Sequence, residues 1–351
     1  MTGVAAYFAA VEAPFTLALK FGDVPVAVRT NHPEVQTRLR RYFSPFVVSG
    51  VGDERTEITL IQGSVEPHGS FLDLQRGPGK RVKEAVQEVS GGRLILKRAT
   101  GVLMGLQPGS AYAQGDLLTN LNQAVNLINA AYAKRVLHRG HVLFHASAVT
   151  RNGRAAVLAG APGAGKSSSA LHLLEDGFRF LSNDRVLALA ESDHVEVLGY
   201  PKQPRVNPGT LIRHPRLAAL LTAEDRNNLA MLSPEDLWLL ERKCDVDLDA
   251  IYGSGTVALS GAMTCLVLLK WRLKGGAFVV RRLRAPEALL ELPLYYKDLG
   301  AFDLDQPSTA LGMASKLSSY AAILDQVTVF EVSGGVDFPS LVSLVGDALA
   351  T

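Results

Sequence analysis

Gly160-Ala161-Pro162-Gly163-Ala164-Gly165-Lys166-Ser167 stands between the apolar run Ala155-Ala156-Val157-Leu158-Ala159 and the helical pattern of Leu171, Leu173 and Leu174. The eight residues match G-x-x-x-x-G-K-[ST], the Walker A pattern, and they sit between a strand and a helix as that motif requires. The spacing has a physical reason. Glycines let the backbone curl so that successive N–H groups point inward as an anion nest. The helix that follows adds its positive N-terminal end. Lys166 is then placed to reach the β and γ phosphates, and the Ser167 hydroxyl to ligate Mg²⁺. Residues 160–168 are therefore expected to hold ATP with Mg²⁺, on an α/β core.

A phosphate loop needs a carboxylate at the end of a neighbouring strand to hold the metal or its water. Phe178-Arg179-Phe180-Leu181-Ser182-Asn183-Asp184 supplies one, and a further strand at 186–189 follows at once. Asp184 is expected to share the metal with Ser167 and to act in catalysis. Its other reading is a plain turn residue, since Asn-Asp pairs favour turns. His145 lies in Leu143-Phe144-His145-Ala146-Ser147, where a lone histidine in an apolar strand reads first as a packed core residue.

Farther out, the patterns predict a strand over 142–150, the loop strand over 155–159, a helix over 166–176 and a strand over 178–181. Strands at 266–271 and 278–281 and a closing helix over 338–349 complete this part. Upstream, 15–21 and 24–29 read as a hairpin around Gly22-Asp23, and Asn31 as the cap of a short helix with Pro33 in its first turn. Strands are expected at 56–61, 93–97 and 102–106, with Gly77-Pro78-Gly79 and Gln107-Pro108-Gly109 as punctuation. Leu121, Val125, Ile128, Tyr132 and Val136 predict a long helix over 116–138. The expected division is thus a smaller mixed α/β domain at 1–138, ending in that helix, and a nucleotide-binding domain at 139–351.

Composition narrows the function. With 47% hydrophobic and 20% charged residues, the 351-residue chain has ample material for packed cores. A net charge of +2, with scattered Lys and Arg, argues against nucleic acid as a partner. No apolar run approaches the roughly 20 residues needed to cross a bilayer, so no membrane partner is expected. The apolar N-terminus lacks a preceding basic segment, and Cys244 and Cys265 form no disulfide framework, so the expected compartment is the cytoplasm.

From His145 to about Leu189 the chain resembles the catalytic domain of the HPr kinase/phosphorylase family, which is related in fold to phosphoenolpyruvate carboxykinase. The likeness rests on three features: a histidine in a strand about 15 residues before the loop, the loop G-x-P-G-A-G-K-S, and the segment Gly177-Phe178-Arg179-Phe180-Leu181-Ser182-Asn183-Asp184-Arg185-Val186. It implies that His145 lies near the transferred phosphate and that Asp184 matches the second member of the family's Asp-Asp pair. Two departures stand out. The first Asp, the family's base, is Asn183 here, and an amide cannot accept a proton at neutral pH. In place of the family's Glu-Val-Arg-Gly-x-Gly loop stands Leu198-Gly199-Tyr200-Pro201-Lys202-Gln203-Pro204-Arg205-Val206-Asn207-Pro208-Gly209-Thr210.

That loop, with Cys244-Asp245-Val246-Asp247-Leu248 and Phe330-Glu331-Val332-Ser333-Gly334-Gly335-Val336-Asp337-Phe338, is similar to the subgroup called HprK-related kinase B. The resemblance implies a P-loop kinase domain of the HPr kinase C-terminal and PEP carboxykinase-like type. It also implies a functional link to an ATP-grasp protein, and a homo-oligomer is compatible with it. Lys202 and Arg205, in a proline-stiffened loop, read either as a solvated basic loop or as a clamp for an anionic acceptor, with Arg205 the stronger candidate. Asp245, Asp247 and Asp249 read as a solvated strand face. The leading expectation is transfer of the γ-phosphoryl of ATP to a hydroxyl of a small-molecule or protein acceptor. The alternatives are a P-loop ATPase and a nucleotide-sensing regulator.

Overall fold

The computed structural model describes residues 3–75, 79, 81–214, 216–240, 244–304 and 310–350. The chain is mixed α/β and divides into two compact units, Met1–Arg139 with Asp298–Ala314, and Gly140–Lys297 with Ser315–Thr351. The expected second domain, 139–351, runs straight through Asp298–Ala314, which the structure gives to the first unit. Two side chains explain why part of that segment belongs with the first unit: Arg93 Nη1 donates to the Ala301 carbonyl at 3.1 Å, and Lys97 Nζ lies 4.5 Å above the Phe302 ring.

Among the described residues, the first unit holds one eight-stranded sheet. Its order is Phe15–Phe21, Val24–Thr30, Thr56–Gln62, Ser110–Gly115, Leu103–Gln107, Gly92–Lys97, Glu84–Val89 and Leu72–Asp73. Leu17, Leu19 and Phe21 alternate inward against the Pro33–Tyr42 and Leu121–Leu137 helices, and Tyr132 meets Phe21 at 5.3 Å between ring centres. Three expectations change here. The Pro33 helix is capped by His32, whose Nδ1 accepts from Glu34 N at 3.2 Å, and not by Asn31. The long helix begins at Leu121, because Asp116 instead closes a turn by accepting from Thr119 N at 3.2 Å. Gly77-Pro78 lies outside the described residues.

The second unit is built on a ten-stranded mixed sheet, again among the described residues. Its main path runs Arg179–Ser182, Ala146–Arg151, Arg154–Gly160, Ser260–Leu269, Val195–Gly199, Val186–Ala190, Val142–Phe144 and Tyr296–Lys297. Arg154–Gly160 runs parallel to Ser260–Leu269, whose Cys265 to Leu269 stretch runs parallel in turn to Thr328–Ser333; Val279–Leu283 pairs outside that strand. The Lys166–Glu175 and Phe338–Ala350 helices bury Leu171, Leu174, Leu341 and Val345 in one cluster with Leu158, Val267 and Leu269. A separate aromatic group joins Phe144, stacked on Tyr295 at 5.5 Å, to the edge of Tyr320 at 5.0 Å.

The strand expected over 142–150 is broken, and the break positions the site. Val142–Phe144 pairs with Val186–Ala190, whereas Ala146–Arg151 pairs with Arg179–Ser182 and Arg154–Gly160. Phe144 opposes Val186 and Ala148 opposes Ser182, and beyond Ala148 the register slips by one residue, Val149 opposing Phe180. Between the two ladders a short window is left open, with His145, Ala146 and Ser147 on one side, Asn183, Asp184 and Arg185 on the other, and His145 against Asp184. Such interruptions re-aim side chains out of the pleat.

Candidate functional site

The window keeps its buried backbone groups satisfied by other partners, as the interior demands. His145 N donates to the Tyr295 carbonyl at 2.7 Å. The Ser182 hydroxyl donates to the Arg185 carbonyl and accepts from Tyr200 N at 2.8 Å. Asp184 turns the corner at φ 68°, a left-handed conformation that Asp tolerates better than most residues but that still costs on the order of 1 kcal/mol. Held this way, Asp184 Oδ1 comes to 3.6 Å from His145 Nε2, beyond normal hydrogen-bond length and within ion-pair reach.

The glycine-rich loop is the short connection from Gly160, the last residue of the Arg154–Gly160 strand, to Lys166, the first of the Lys166–Glu175 helix. Gly163 and Gly165 take φ values of 82° and 84°, and no atom lies within 4 Å of the place where a Gly163 side chain would begin. Ala161 and Pro162 start the curl, which Ala164 N closes by donating to the Ala161 carbonyl at 3.0 Å. The Lys166 ammonium bends back over it, donating to the carbonyls of Gly160 at 2.8 Å and Ala161 at 3.2 Å. Trp271 fixes the loop from beneath: its indole N–H donates to the Ala164 carbonyl at 2.7 Å, and its ring meets Phe338 edge-on at 5.4 Å.

The first helical turn ties the loop to the window. Ser147 Oγ donates to the Lys166 carbonyl at 2.8 Å, and Ser167 Oγ donates to Asn183 Oδ1 at 2.6 Å. Ser168 Oγ shares a hydrogen bond with Thr210 Oγ1 at 2.7 Å, which binds the helix to the segment after the proline-rich loop. The residue directly partnering Ser167 is thus Asn183, whereas Asp184, expected to share a metal with that serine, lies against His145.

Charge around the pair is mostly positive. Burial, with Lys166 and Lys297 nearby, pushes His145 down to about 4 against the opposing pull of Asp184, so its ring is neutral at pH 7. Burial works against ionisation of Asp184, but Lys297, Arg185, Lys202 and His145 together outweigh it and hold the carboxyl below the ordinary carboxylate range. Arg185 Nη1 donates to the Tyr200 hydroxyl at 3.0 Å.

Arg205 is placed differently from the expectation. It lies in a two-stranded ribbon, Arg205–Val206 against Cys244–Asp245, and its Nε is 2.8 Å from Asp245 Oδ1. Asp245, Asp247 and Asp249 do not form one strand face either. Asp247 caps the Leu248–Tyr252 helix by accepting from Ala250 N at 3.2 Å, and Asp249 falls in its first turn.

Sequence reasoning missed Lys297, Trp271 and Ser147. Lys297 comes from the two-residue Tyr296–Lys297 strand, too short for any periodicity, and Trp271 closes the expected 266–271 strand as an ordinary apolar residue, whereas the observed strand ends at Leu269. No helix among the described residues is long and apolar enough to cross a membrane.

Comparison with solved structures returns the HPr(Ser) kinase/phosphatase from Coxiella burnetii, at a TM-score of 0.31 and 11% identity over 58% of this chain and 94% of that one. A likeness this slight carries neither fold nor function. No family model matches the chain, and no curated protein matches it.

Proposed function

We propose that the chain is an HPr-kinase-like, ATP-dependent kinase that transfers the γ-phosphoryl group to an acceptor hydroxyl. The observation that carries this reading is the meeting of the glycine-rich loop with the open window: Lys166 and Ser167 on one side, Asn183, Asp184 and His145 on the other. The loop suits polyphosphate, since Gly163 and Gly165 curl the backbone and a lysine sits over the curl. Residues 160–168 would hold the phosphates, and Ser167 Oγ with Asn183 Oδ1 would hold Mg²⁺, which suits a hard cation because both atoms are oxygens. Bound there, Mg²⁺ would neutralise phosphate charge.

In the transfer, the bond between the γ-phosphorus and the ADP oxygen breaks as a bond to the acceptor oxygen forms, and the acceptor proton passes to Asp184. A depressed carboxylate is a weak base, which suffices where the transition state is loose and the proton leaves late. His145, neutral and adjacent, can hydrogen-bond the transferred group without repelling Lys166. ADP formation by the purified protein, followed by a mass-spectrometric screen for phosphorylated metabolites, tests the reading. Absence of nucleotide binding would end it.

Two smaller effects follow from the same geometry. Asn183→Asp places a carboxylate against Ser167, and half-saturating Mg²⁺ should fall by about tenfold, since ligand charge sets affinity at oxygen-ligand sites. An unchanged Mg²⁺ titration of turnover would remove Asn183 from the metal site. Trp271→Phe deletes the donor to Ala164 O while keeping an aromatic ring, and should weaken nucleotide affinity by about fivefold, the usual worth of one hydrogen bond. Calorimetric titration with ADP measures it, and equal affinities would mean that the loop holds its shape unaided.

A further inference from the structure

A sheet ends in strands whose outer backbone groups need a partner or a cover, and most such edges here are guarded. In the first unit, Phe15–Phe21 is met by Val48 N, which donates to the Ala18 carbonyl at 3.1 Å, and Leu72–Asp73 is only two residues long. In the second, the 256–258 segment covers Arg179–Ser182: Phe180 N donates to the Thr256 carbonyl at 2.9 Å, and the Phe180 carbonyl accepts from Ala258 N at 2.7 Å. Tyr296–Lys297 is again a two-residue edge. Val279–Leu283 is different. It pairs with Thr328–Ser333 on one side and, among the described residues, with no strand on the other.

The neighbouring strand shows which groups of this edge point outward. The Val332 carbonyl accepts from Lys270 N at 2.8 Å, so the Val332 backbone is turned toward Ser260–Leu269. Val280 opposes Val332, and that pair is therefore a non-hydrogen-bonded one in the antiparallel ladder. The N–H and C=O of Val280 point to the open side, as do those of Arg282 two residues on. Residues 279–282 are exposed on both faces of the strand, Val279 by 52% and Val280 by 39%. Charge does little to guard them. Arg281 is turned back onto its own chain, with Nη1 3.2 Å from Glu287 Oε1 and Nε 3.4 Å from Glu331 Oε1, which leaves Arg282.

We infer that this edge binds a second copy of the chain, strand against antiparallel strand, about a two-fold axis at Val280. Self-complementarity favours that occupant. With Val280 opposite Val280, Arg281 faces Val279 of the other copy and Arg282 faces Phe278, so no arginine meets another. Phe278 is half-buried, its ring 6.5 Å from that of Trp271, and it offers a face to the guanidinium. Moving the axis to Arg281 would set that residue against itself, and like charges directly opposite destabilise a pair. Side-chain charge thus selects the register. The contact is isologous and closes at two, joining two ten-stranded sheets into one. An acidic strand of another protein is the weaker fit, because Arg281 already has its carboxylates.

Sedimentation of the full chain over a concentration series reads the state, and a monomer–dimer equilibrium is expected. Val280→Pro removes the outward N–H of each copy without touching the chain's own ladder. It should raise the dissociation constant about 25-fold, roughly fivefold for each of the two hydrogen bonds lost. Val280→Lys sets two ammonium groups together at the axis and should leave monomer only. Thermal melting of both variants shows whether they are folded. Val280→Cys reads the position itself. Oxidation should link two copies, since residues opposed in this way have Cα atoms about 5.5 Å apart, within disulfide reach. The parent, with free Cys244 and Cys265, gives the background. A parent that stays monomeric throughout the series overturns the inference and leaves the edge to a strand of another protein. So does a dimer that Val280→Lys keeps and Val280→Cys fails to link, because its contact then lies elsewhere. None of these measurements needs nucleotide, so the inference stands or falls apart from the kinase reading.

Discussion

Replacing Lys166 by alanine is expected to cut turnover by roughly 10³-fold, the scale found when one preorganised electrostatic partner of a developing charge is deleted, and to weaken nucleotide binding as well. The ammonium has two tasks. It bridges the carbonyls of Gly160 and Ala161 at 2.8 and 3.2 Å, drawing the two ends of the curl together, and it stands where β and γ phosphates would lie. Alanine removes both the bridge and the charge. Lys166→Met keeps the aliphatic stem and loses only the charge, so the two variants separate packing from electrostatics. If the charge dominates, they should be equally inactive. Calorimetry with ADP and a coupled assay of ADP release measure the two effects. Affinity and rate near those of the parent in Lys166→Ala would mean that the glycine-rich loop is only a turn.

The elements that the sequence placed well are those held by local pattern. The apolar run before the loop became the Arg154–Gly160 strand, and the leucines after it became the buried side of the Lys166–Glu175 helix. The helix ending in Leu137 was legible because Val125, Ile128, Tyr132 and Val136 repeat on one side. Where a strand is selected by its partners and not by its own residues, the pattern is silent. Glu84–Val89 begins with a buried glutamate, tolerable only because Lys97 from the neighbouring strand pairs with it. Ser110–Gly115 lies in mid-sheet with small residues of low strand preference, chosen by its neighbours and not by its own propensity.

The candidate site divides in the same way. Loop residues announce themselves, since a backbone curl needs glycines at fixed offsets. The open window does not. Residues 142–150 read as one largely apolar strand, and nothing local says that the chain changes partners at His145. The hint lay opposite, in Ser182-Asn183-Asp184-Arg185, a turn-forming run where a strand pair ought to continue. Charge placement was the least legible. Arg205 stood out as a cation in a stiff loop, yet Asp245 on the paired ribbon matches it. Lys297, unremarkable in sequence, is brought beside the window by pairing with Leu143.

Asp184→Asn should leave nucleotide affinity within a few-fold and lower the rate by roughly 10²- to 10⁴-fold, the range for losing a positioned general base. Two features make the substitution clean. Asparagine is at least as comfortable as aspartate in the left-handed conformation that position 184 requires, so the corner at φ 68° should survive. The side chain also keeps its size beside His145. The loss of the carboxylate charge among these cations should lower thermal stability somewhat at neutral pH, and a melting curve shows that the variant is folded where its rate is read. The pH dependence gives an independent check. Lys297, Arg185, Lys202 and His145 overcome burial and hold Asp184 below the ordinary carboxylate range, so the base is ionised at every pH above that range. Its protonation would quench the parent only on the acid side, below the range of a free carboxylate. The variant should lack that acid limb while keeping its low rate at neutral pH. His145, pushed down to about 4, adds no change of charge between pH 5 and 8. A variant rate within a few-fold of the parent, with the acid limb intact, would reduce Asp184 to the corner residue its backbone already makes it.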